Sequence, residues 1–242
     1  MKVILFIVRI LLSTRYKITV KGFDKLNKGK AKLFISNHQA AVNDPLIIVT
    51  EIIKKYKLAP VVTERYYKMP LLNYFFRRMS SISVPDLKRG SKDIDSVKKV
   101  DQLVIETLGK GICVLIYPAG QSCGQGYEKI FSKQGSYNIV QNIDDNIEVI
   151  GIRISGLWGS IWSKAWTGGP APFIKTLLHS LLIVLGNLIF FVPKRKVSIE
   201  FVDITDEIKI QKNNQRQVFN KFLENFFNAN GEETVNYLKH YF

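Results

Sequence analysis

Ser36-Asn37-His38-Gln39-Ala40-Ala41-Val42-Asn43-Asp44-Pro45 is the stretch on which the reading of this chain turns. Before it, Lys32-Leu33-Phe34-Ile35 has the apolar character of a short buried strand; after it, Leu46 to Lys55 reads as an apolar helix. A histidine and an acid therefore occupy the connection between a strand and a helix. Open α/β sheets present their chemistry at that place, beyond the carboxyl ends of the strands. Asp44 followed by Pro45 suits an N-cap and a first helical position, so the helix is expected to begin at Pro45 with His38 in the turn before it. On a regular helix His38 and Asp44 would point about 120° apart, so they meet only across a turn. Two readings follow from the spacing. In one, His38 takes a proton from a hydroxyl and Asp44 orients it; in the other, Asp44 only caps the helix and His38 is structural. Asn37 is placed to brace the turn.

The composition fits a single α/β domain. At 242 residues and 46% hydrophobic content the chain can bury one substantial core. The net charge of +15 directs attention to anionic partners: nucleic acid, an anionic membrane, or phosphorylated substrates. The basic residues are scattered and form no recognisable nucleic-acid motif, so no nucleic-acid partner is expected. Cys113 sits in the apolar run Ile112–Ile116 and Cys123 in a glycine-rich loop, which reads as two free thiols in a reducing cytosol. Three histidines and two cysteines are too dispersed to imply a metal site, and no cofactor is expected.

Along the chain, Met1 to Ser13 is nearly all apolar but too short to span a bilayer, which takes about 20 residues. It reads as residues 1–15, an apolar membrane-contacting helix preceding a domain over 16–242, with packing on the domain's own core as the alternative. Tyr16 to Val20 alternates like an edge strand, and short strands are expected near Pro60–Thr63 and Ser81–Val84. A helix is expected over Pro70–Met79, and another from Ser91 to Leu108 with Ile94, Val97, Val100, Leu103, Val104 and Leu108 on one face. Ile112–Tyr117, apolar throughout, reads as a central parallel strand, followed by the loop Pro118-Ala119-Gly120-Gln121-Ser122-Cys123-Gly124-Gln125-Gly126. Ile147–Ile154 and Val197–Val202 are further strands. Gln211–Asn228 is expected to be an amphipathic helix with Val218, Phe219, Phe222, Leu223 and Phe226 inward, and Tyr237–Phe242 to close the domain. Thr176–Val192, the most hydrophobic stretch, is followed by Pro193-Lys194-Arg195-Lys196. A spanning helix, a helix or hairpin dipping into one leaflet, and an ordinary buried helix all fit it. Strands alternating with helices imply a mixed, mainly parallel sheet flanked by helices, with the N-terminal and late apolar segments contacting a membrane.

Asn37-His38 to Asp44-Pro45 resembles the N-H-x-x-x-x-D block of the glycerolipid acyltransferases of the lysophosphatidate acyltransferase type. Ile116-Tyr117-Pro118-Ala119-Gly120-Gln121-Ser122 stands where that family carries F-P-E-G-T-R-S. Met79–Arg89 stands near its G-x-x-F-I-x-R block, and Val149–Ser155 near its late apolar block. Glu64–Tyr67, Gly156–Ser160 and Leu223–Phe242 are similar to variant acyltransferase domains fused to acyl-carrier-protein ligases. Three departures stand out. The spacing is H-x5-D, with Asn43 at the usual acid position; Ala119 replaces glutamate; and Ser122 replaces the arginine held to bind the acceptor phosphate.

The resemblance implies an O-acyltransferase that moves a fatty acyl group from a thioester donor, acyl-CoA or acyl carrier protein, to a lysophospholipid or glycerol phosphate. His38 would be the general base and Asp44 its partner. Asn37, Pro118, Gly120, Gln121, Ser122 and Arg153 are the expected substrate-binding residues, with Lys88, Arg89 or Arg153 as substitutes for the missing arginine. Backbone N–H groups over Gly120–Ser122 are the expected oxyanion donors. The protein would sit on the cytoplasmic face of the cell membrane, peripheral or monotopic. The alternatives are a non-catalytic lipid-binding protein on the same fold and a lipid or thioester hydrolase.

Overall fold

The computed structural model describes residues 2–85, 94–189 and 191–239. In chain order the elements are α1 (Lys2–Arg15), β1 (Tyr16–Lys21), β2 (Lys32–Ser36), α2 (Asn43–Ile52), β3 (Leu58–Thr63), α3 (Glu64–Tyr67), α4 (Pro70–Arg78), β4 (Ile82–Val84), α5 (Ile94–Gly109), β5 (Cys113–Ile116), α6 (Gly135–Asn142), β6 (Glu148–Ser155), α7 (Lys164–Thr167), α8 (Phe173–Gly186), β7 (Arg195–Asp203), α9 (Thr205–Gln211) and α10 (Arg216–Phe227). The strands form one seven-stranded sheet in the order β1-β7-β6-β2-β5-β3-β4. Every pairing is parallel except β6 with β7. This is the mixed, mainly parallel α/β sheet expected from the sequence.

β2 lies at the centre, and all five of its residues are buried. Its alternation divides the core. Phe34 joins Ile47, Ile48 and Ile52 of α2 on one face, while Leu33 and Ile35 join Val104, Leu108, Phe219 and Leu223 of α5 and α10 on the other. A strand covered on both faces must be apolar throughout, and that is why Lys32–Ile35 reads so clearly. Its one charged residue, Lys32, is fully buried and pairs with Glu148, its register partner on β6.

Several boundaries differ from expectation, each for a local reason. The helix after the His/Asp connection begins at Asn43, not Pro45, with Val42 at the N-cap. Gln211–Asn228 is not one helix. The polar Asn213-Asn214 pair separates α9 from α10, and Asn214 Nδ2 donates to Gln211 Oε1 at 3.0 Å. Within α10, Phe219 and Leu223 are buried, but Val218 is 49% exposed. In α5 the inward stripe runs through Val104 and Leu108, four residues apart, leaving Leu103 47% exposed. The start of that helix at Ser91, with Lys88 and Arg89, falls outside the described residues, as do His240 and the last two positions.

The late apolar stretch forms α8, which is 14 residues and so about 21 Å long, short of a bilayer's roughly 30 Å core. It ends at Gly186-Asn187, and Leu188 and Ile189 follow with φ of 50° and 64°. Among the described residues, no helix is long and apolar enough to cross a membrane. α8 buries Thr176 and Ile183, while Ile174, Leu177, Leu178, Leu181, Leu182 and Leu185 stay exposed. α1 likewise buries Leu12 and exposes Ile7, Ile10 and Leu11.

Candidate active site

The carboxyl ends of the three adjacent parallel strands β2, β5 and β6 converge, and the loops leaving them build the site. The side chains flanking His38 are spent on holding the turn. Asn37 Nδ2 donates to the Ile154 carbonyl at 2.9 Å, and its Oδ1 accepts from the Ile154 N–H at 2.8 Å, tying the end of β2 to β6. Gln39 Oε1 accepts from the Leu157 N–H at 3.0 Å, and its Nε2 donates to Glu233 at 2.6 Å. Glu233, on the closing segment after α10, also accepts from the Gly156 N–H at 2.7 Å. Its own N–H donates to the Gly126 carbonyl at 2.8 Å. Any β-carbon at Gly126 would lie 2.1 Å from the Glu233 carbonyl oxygen, so this approach requires glycine.

Between these anchors, His38 Nδ1 lies 2.9 Å from Asp44 Oδ2 and 3.0 Å from Oδ1. The residues joining them bulge: Ala40 bridges to Ser163, and the Ala41 N–H donates to the Trp162 carbonyl at 3.1 Å. Asp44 is fully buried, and its Oδ2 also accepts from the Gln39 N–H at 2.6 Å and the Ala40 N–H at 3.2 Å. Its carboxylate thus faces back into the turn rather than capping its own helix. With Nδ1–H donated to Asp44, Nε2 is left with its lone pair free, the tautomer a base requires.

Glu128 was not singled out in the sequence. Its carboxylate accepts the His38 N–H at 2.9 Å, and its backbone is held by Asn228 at the end of α10, N–H to Oδ1 at 2.8 Å and carbonyl to Nδ2 at 2.9 Å. Burial pushes its carboxyl up to about 7, against the opposing pull of His38. Burial alone would lower the His38 pKa; the charge and hydrogen bond of Asp44, reinforced by Glu128, outweigh it and raise the group above its ordinary value. Lys164, the first residue of α7, acts on His38 in the opposite sense. The Ala40–Ser163 bridge brings the start of α7 beside the turn, and no ion pair involves Lys164 among the described residues. No short pattern marks either residue; only the fold brings Glu128 and Lys164 to His38.

The loop after β5 supplies the site's other wall. The Tyr117 ring packs against His38 with centroids 4.6 Å apart and planes tilted by 35°, and its buried hydroxyl has no hydrogen-bond partner among the described residues. Pro118 opens a tight turn in which the Gly120 N–H donates to the Tyr117 carbonyl at 2.9 Å, with Gly120 at φ 65°. That N–H is therefore engaged, which corrects its expected place among the oxyanion donors. Gln121 is exposed and Ser122 buried. The Cys123 N–H donates to the His38 carbonyl at 2.6 Å. Burial, Glu128 and Asp44 hold the Cys123 thiol protonated, far above its ordinary value. Arg153 is committed elsewhere: it pairs with Glu200 at 2.9 Å, donates to the Phe226 carbonyl at 3.3 Å and lies over the Phe226 ring. It is not available to replace the missing arginine without leaving those contacts. Among the described residues, no three His, Cys, Asp or Glu side chains are grouped to hold a metal.

The sequence model of the Acyltransferase family matches residues 17–155, more than half of the chain and all of the His38, Asp44 and Tyr117–Glu128 framework. The chain belongs to the acyltransferase family. No curated protein sequence matches this acyltransferase. Its fold is similar to the crystal structure of the 1-acyl-sn-glycerophosphate acyltransferase PlsC from Thermotoga maritima, with a TM-score of 0.61 and 18% identity over 95% of this chain and 77% of that one. At that identity the likeness concerns the fold.

Proposed function

We propose that this acyltransferase moves a fatty acyl group from a thioester donor to a free hydroxyl of a glycerol phosphate or lysophospholipid acceptor, with His38 as general base. The carrying observation is the buried Asp44 carboxylate 2.9 Å from His38 Nδ1, which leaves Nε2 as the proton acceptor. His38 Nε2 takes the acceptor's hydroxyl proton as the oxygen attacks the thioester carbonyl carbon. Collapse of the tetrahedral intermediate breaks the carbon–sulfur bond. The departing thiolate recovers the proton from the imidazolium, giving an ester and a thiol. A direct transfer is favoured over an acyl-enzyme because Cys123, whose N–H donates to the His38 carbonyl, is buried and its thiol is held protonated.

Among the described residues, Lys164, whose charge reaches His38, is the cation that would attract the acceptor's phosphate in place of the arginine of the motif the chain resembles. The donor is coenzyme A or an acyl carrier protein, and the net charge of +15 suits either one's acidic groups. The exposed apolar faces of α1 and α8 fit peripheral or monotopic contact with the cytoplasmic leaflet, where both amphiphilic substrates are found.

The test is transfer from radiolabelled acyl-CoA and acyl-carrier-protein donors to a panel of lysolipids and glycerol phosphate, comparing the native chain with His38→Ala. Acylated lipid from the native protein and none from the variant is the expected result. Equal transfer by both would sink the role of His38, and free fatty acid as the sole product would make water the acceptor.

A further inference from the structure

A cavity of about 250 Å³ lies between α1, the start of α2, the loop after β6 and α8. It carries an unusual combination of groups. Among the described residues, the buried Nη1 of Arg15, at the end of α1, has no hydrogen-bond partner, and neither has the hydroxyl of Ser160, which is 4% exposed. Arg195 also lines the cavity, but its guanidinium is satisfied by the carbonyls of Gly156, Trp158, Gly159 and Asn236. Among the described residues, no acidic side chain lines the cavity. Two guanidinium charges therefore share this space with no carboxylate of the described residues lining it. The acid whose charge reaches Arg195, Glu233, is spent on Gln39 and Gly156. A buried cation without a counter-charge is costly, and an unmet N–H and an unmet hydroxyl on two residues lining the same cavity call for an acceptor-rich anion.

The rest of the lining is apolar and reaches the surface. Leu11, Leu46 and Leu177 line the cavity while remaining exposed, so the polar end lies beneath the leucine-rich faces of α1 and α8. The volume is below the roughly 300–1,000 Å³ of sites for whole drug-sized ligands, which suits a headgroup with its first methylenes rather than a complete lipid. The catalytic turn is adjacent: Val42 and Asn43, immediately before Asp44, form part of the wall, and Asn43 donates to the Tyr16 hydroxyl.

We propose that this cavity binds the phosphate of an alkyl phosphate amphiphile on Arg15 and Ser160, with its chain leaving past Leu11 and Leu177 toward the apolar face. The site is distinct from the His38 centre and does not depend on His38 being a base. Its guanidinium–phosphate contact is charge-assisted and supplies most of the selectivity.

The three tryptophans, Trp158, Trp162 and Trp166, are all near this region, and two of them line the cavity, so intrinsic fluorescence reports occupancy. The full chain is titrated with dodecyl phosphate below its micelle concentration, with inorganic phosphate, and with neutral dodecyl maltoside. Saturable binding of dodecyl phosphate is expected, weakened about tenfold or more by Arg15→Gln. Arg15→Lys retains part of the affinity, and Lys110→Gln, at an exposed lysine just after α5 that does not line the cavity, leaves it unchanged. Circular dichroism confirms that each variant is folded, and Ser160→Ala, which carries no charge change, provides a second and smaller loss. Binding that is indifferent to both Arg15→Gln and Ser160→Ala overturns the proposal. So does inorganic phosphate binding as tightly as dodecyl phosphate, which would mark a free-anion site, or equal binding of the maltoside, which would mark an apolar groove. Loss with Lys164→Gln but not Arg15→Gln would place the ligand at the His38 centre and also overturn it.

Discussion

His38 and Asp44 are in direct contact, Nδ1 to Oδ2 at 2.9 Å, although the chain between them is one residue longer than the family's motif. The extra residue is absorbed outside the pair. Ala40 and Ala41 are drawn onto Ser163 and Trp162 in the loop after β6, and α2 starts at Asn43, so that Asp44 sits in its first turn. Two N–H groups of the bulge, from Gln39 and Ala40, converge on the same carboxylate oxygen that meets His38. The longer turn thus carries its own hydrogen bonds, and the acid is as tightly fixed as the histidine.

Asp44→Asn follows directly. The amide cannot hold His38 in the required tautomer or stabilise its imidazolium, and its NH2 group would face the N–H donors of the bulge. Acyl transfer is expected to fall by about 10³–10⁴ in kcat, the scale seen where a buried aspartate orients a catalytic histidine. Steady-state transfer assays on the purified variant check this. A loss below tenfold would mean that Asp44 serves the turn alone.

Glu128→Gln tests the second acid. Its carboxyl, ordinarily near 4.5, is held at about 7 in the fold. The folded state therefore binds this proton more tightly than the unfolded chain does. The associated stability is full below pH 4.5 and is lost as pH rises through 7, by up to about 3 kcal/mol. Glutamine still accepts the His38 N–H but carries no charge to bury, so the variant should be more stable than the native chain at pH 8. Removing a negative charge beside His38 also lowers the histidine's pKa. The acid limb of the kcat/KM profile should move to lower pH. Denaturant melts at pH 5 and pH 8, with a pH–rate series, measure both shifts.

How much of this was legible in the sequence depends on how local each cause is. β2 and β5 were readable because strands buried on both faces must be continuously apolar. His38 and Asp44 stood out as a histidine and an acid between a strand and a helix. The start of α2 was misplaced because Asp44-Pro45 imitates a cap, while the contacts that set the boundary come from Ser163 and Trp162, about 120 residues later. Glu128, Lys164 and Glu233 reach the turn only through the fold, and nothing in their immediate neighbours marks them. Arg153 misled for the converse reason. Its charge suggested phosphate, but Glu200, its register partner on the antiparallel strand β7, had already claimed it.

Lys32→Ala should be among the most destabilising single changes. The ammonium is fully buried against Glu148 and lies 5.4 Å from the centre of the Tyr56 ring. Removing one partner strands the other's charge, at a cost of about 3–5 kcal/mol. The double change Lys32→Met with Glu148→Leu removes both charges and keeps the volume, and should recover most of that loss. Thermal and urea unfolding of the three proteins decide it; equal stability of the single and double variants would refute the pairing argument.

Tyr117→Phe isolates one hydroxyl. The ring's packing against His38, 4.6 Å between centroids, is retained, while a buried hydroxyl without a partner among the described residues disappears. Leaving such a group unsatisfied costs about 1–3 kcal/mol, so the variant should unfold at higher denaturant than the native chain. A lower midpoint would show that the hydroxyl has a partner in solution.

Lys164→Gln addresses the acceptor and provides the opposite pH shift to Glu128→Gln. The positive charge of Lys164 disfavours protonation of His38, so its removal should raise the histidine's pKa further and move the acid limb of the rate profile to higher pH. The same change removes the cation proposed to meet the acceptor's phosphate. KM for a phosphate-bearing acceptor should rise by about tenfold, the scale of one lost charge-assisted hydrogen bond, with little change in KM for the acyl donor. Measuring both substrates separates the two effects, since a change in His38 alone alters the pH profile without discriminating between acceptor and donor. An unchanged acceptor KM together with the upward pH shift would leave Lys164 as an electrostatic neighbour of His38 and remove it from acceptor recognition.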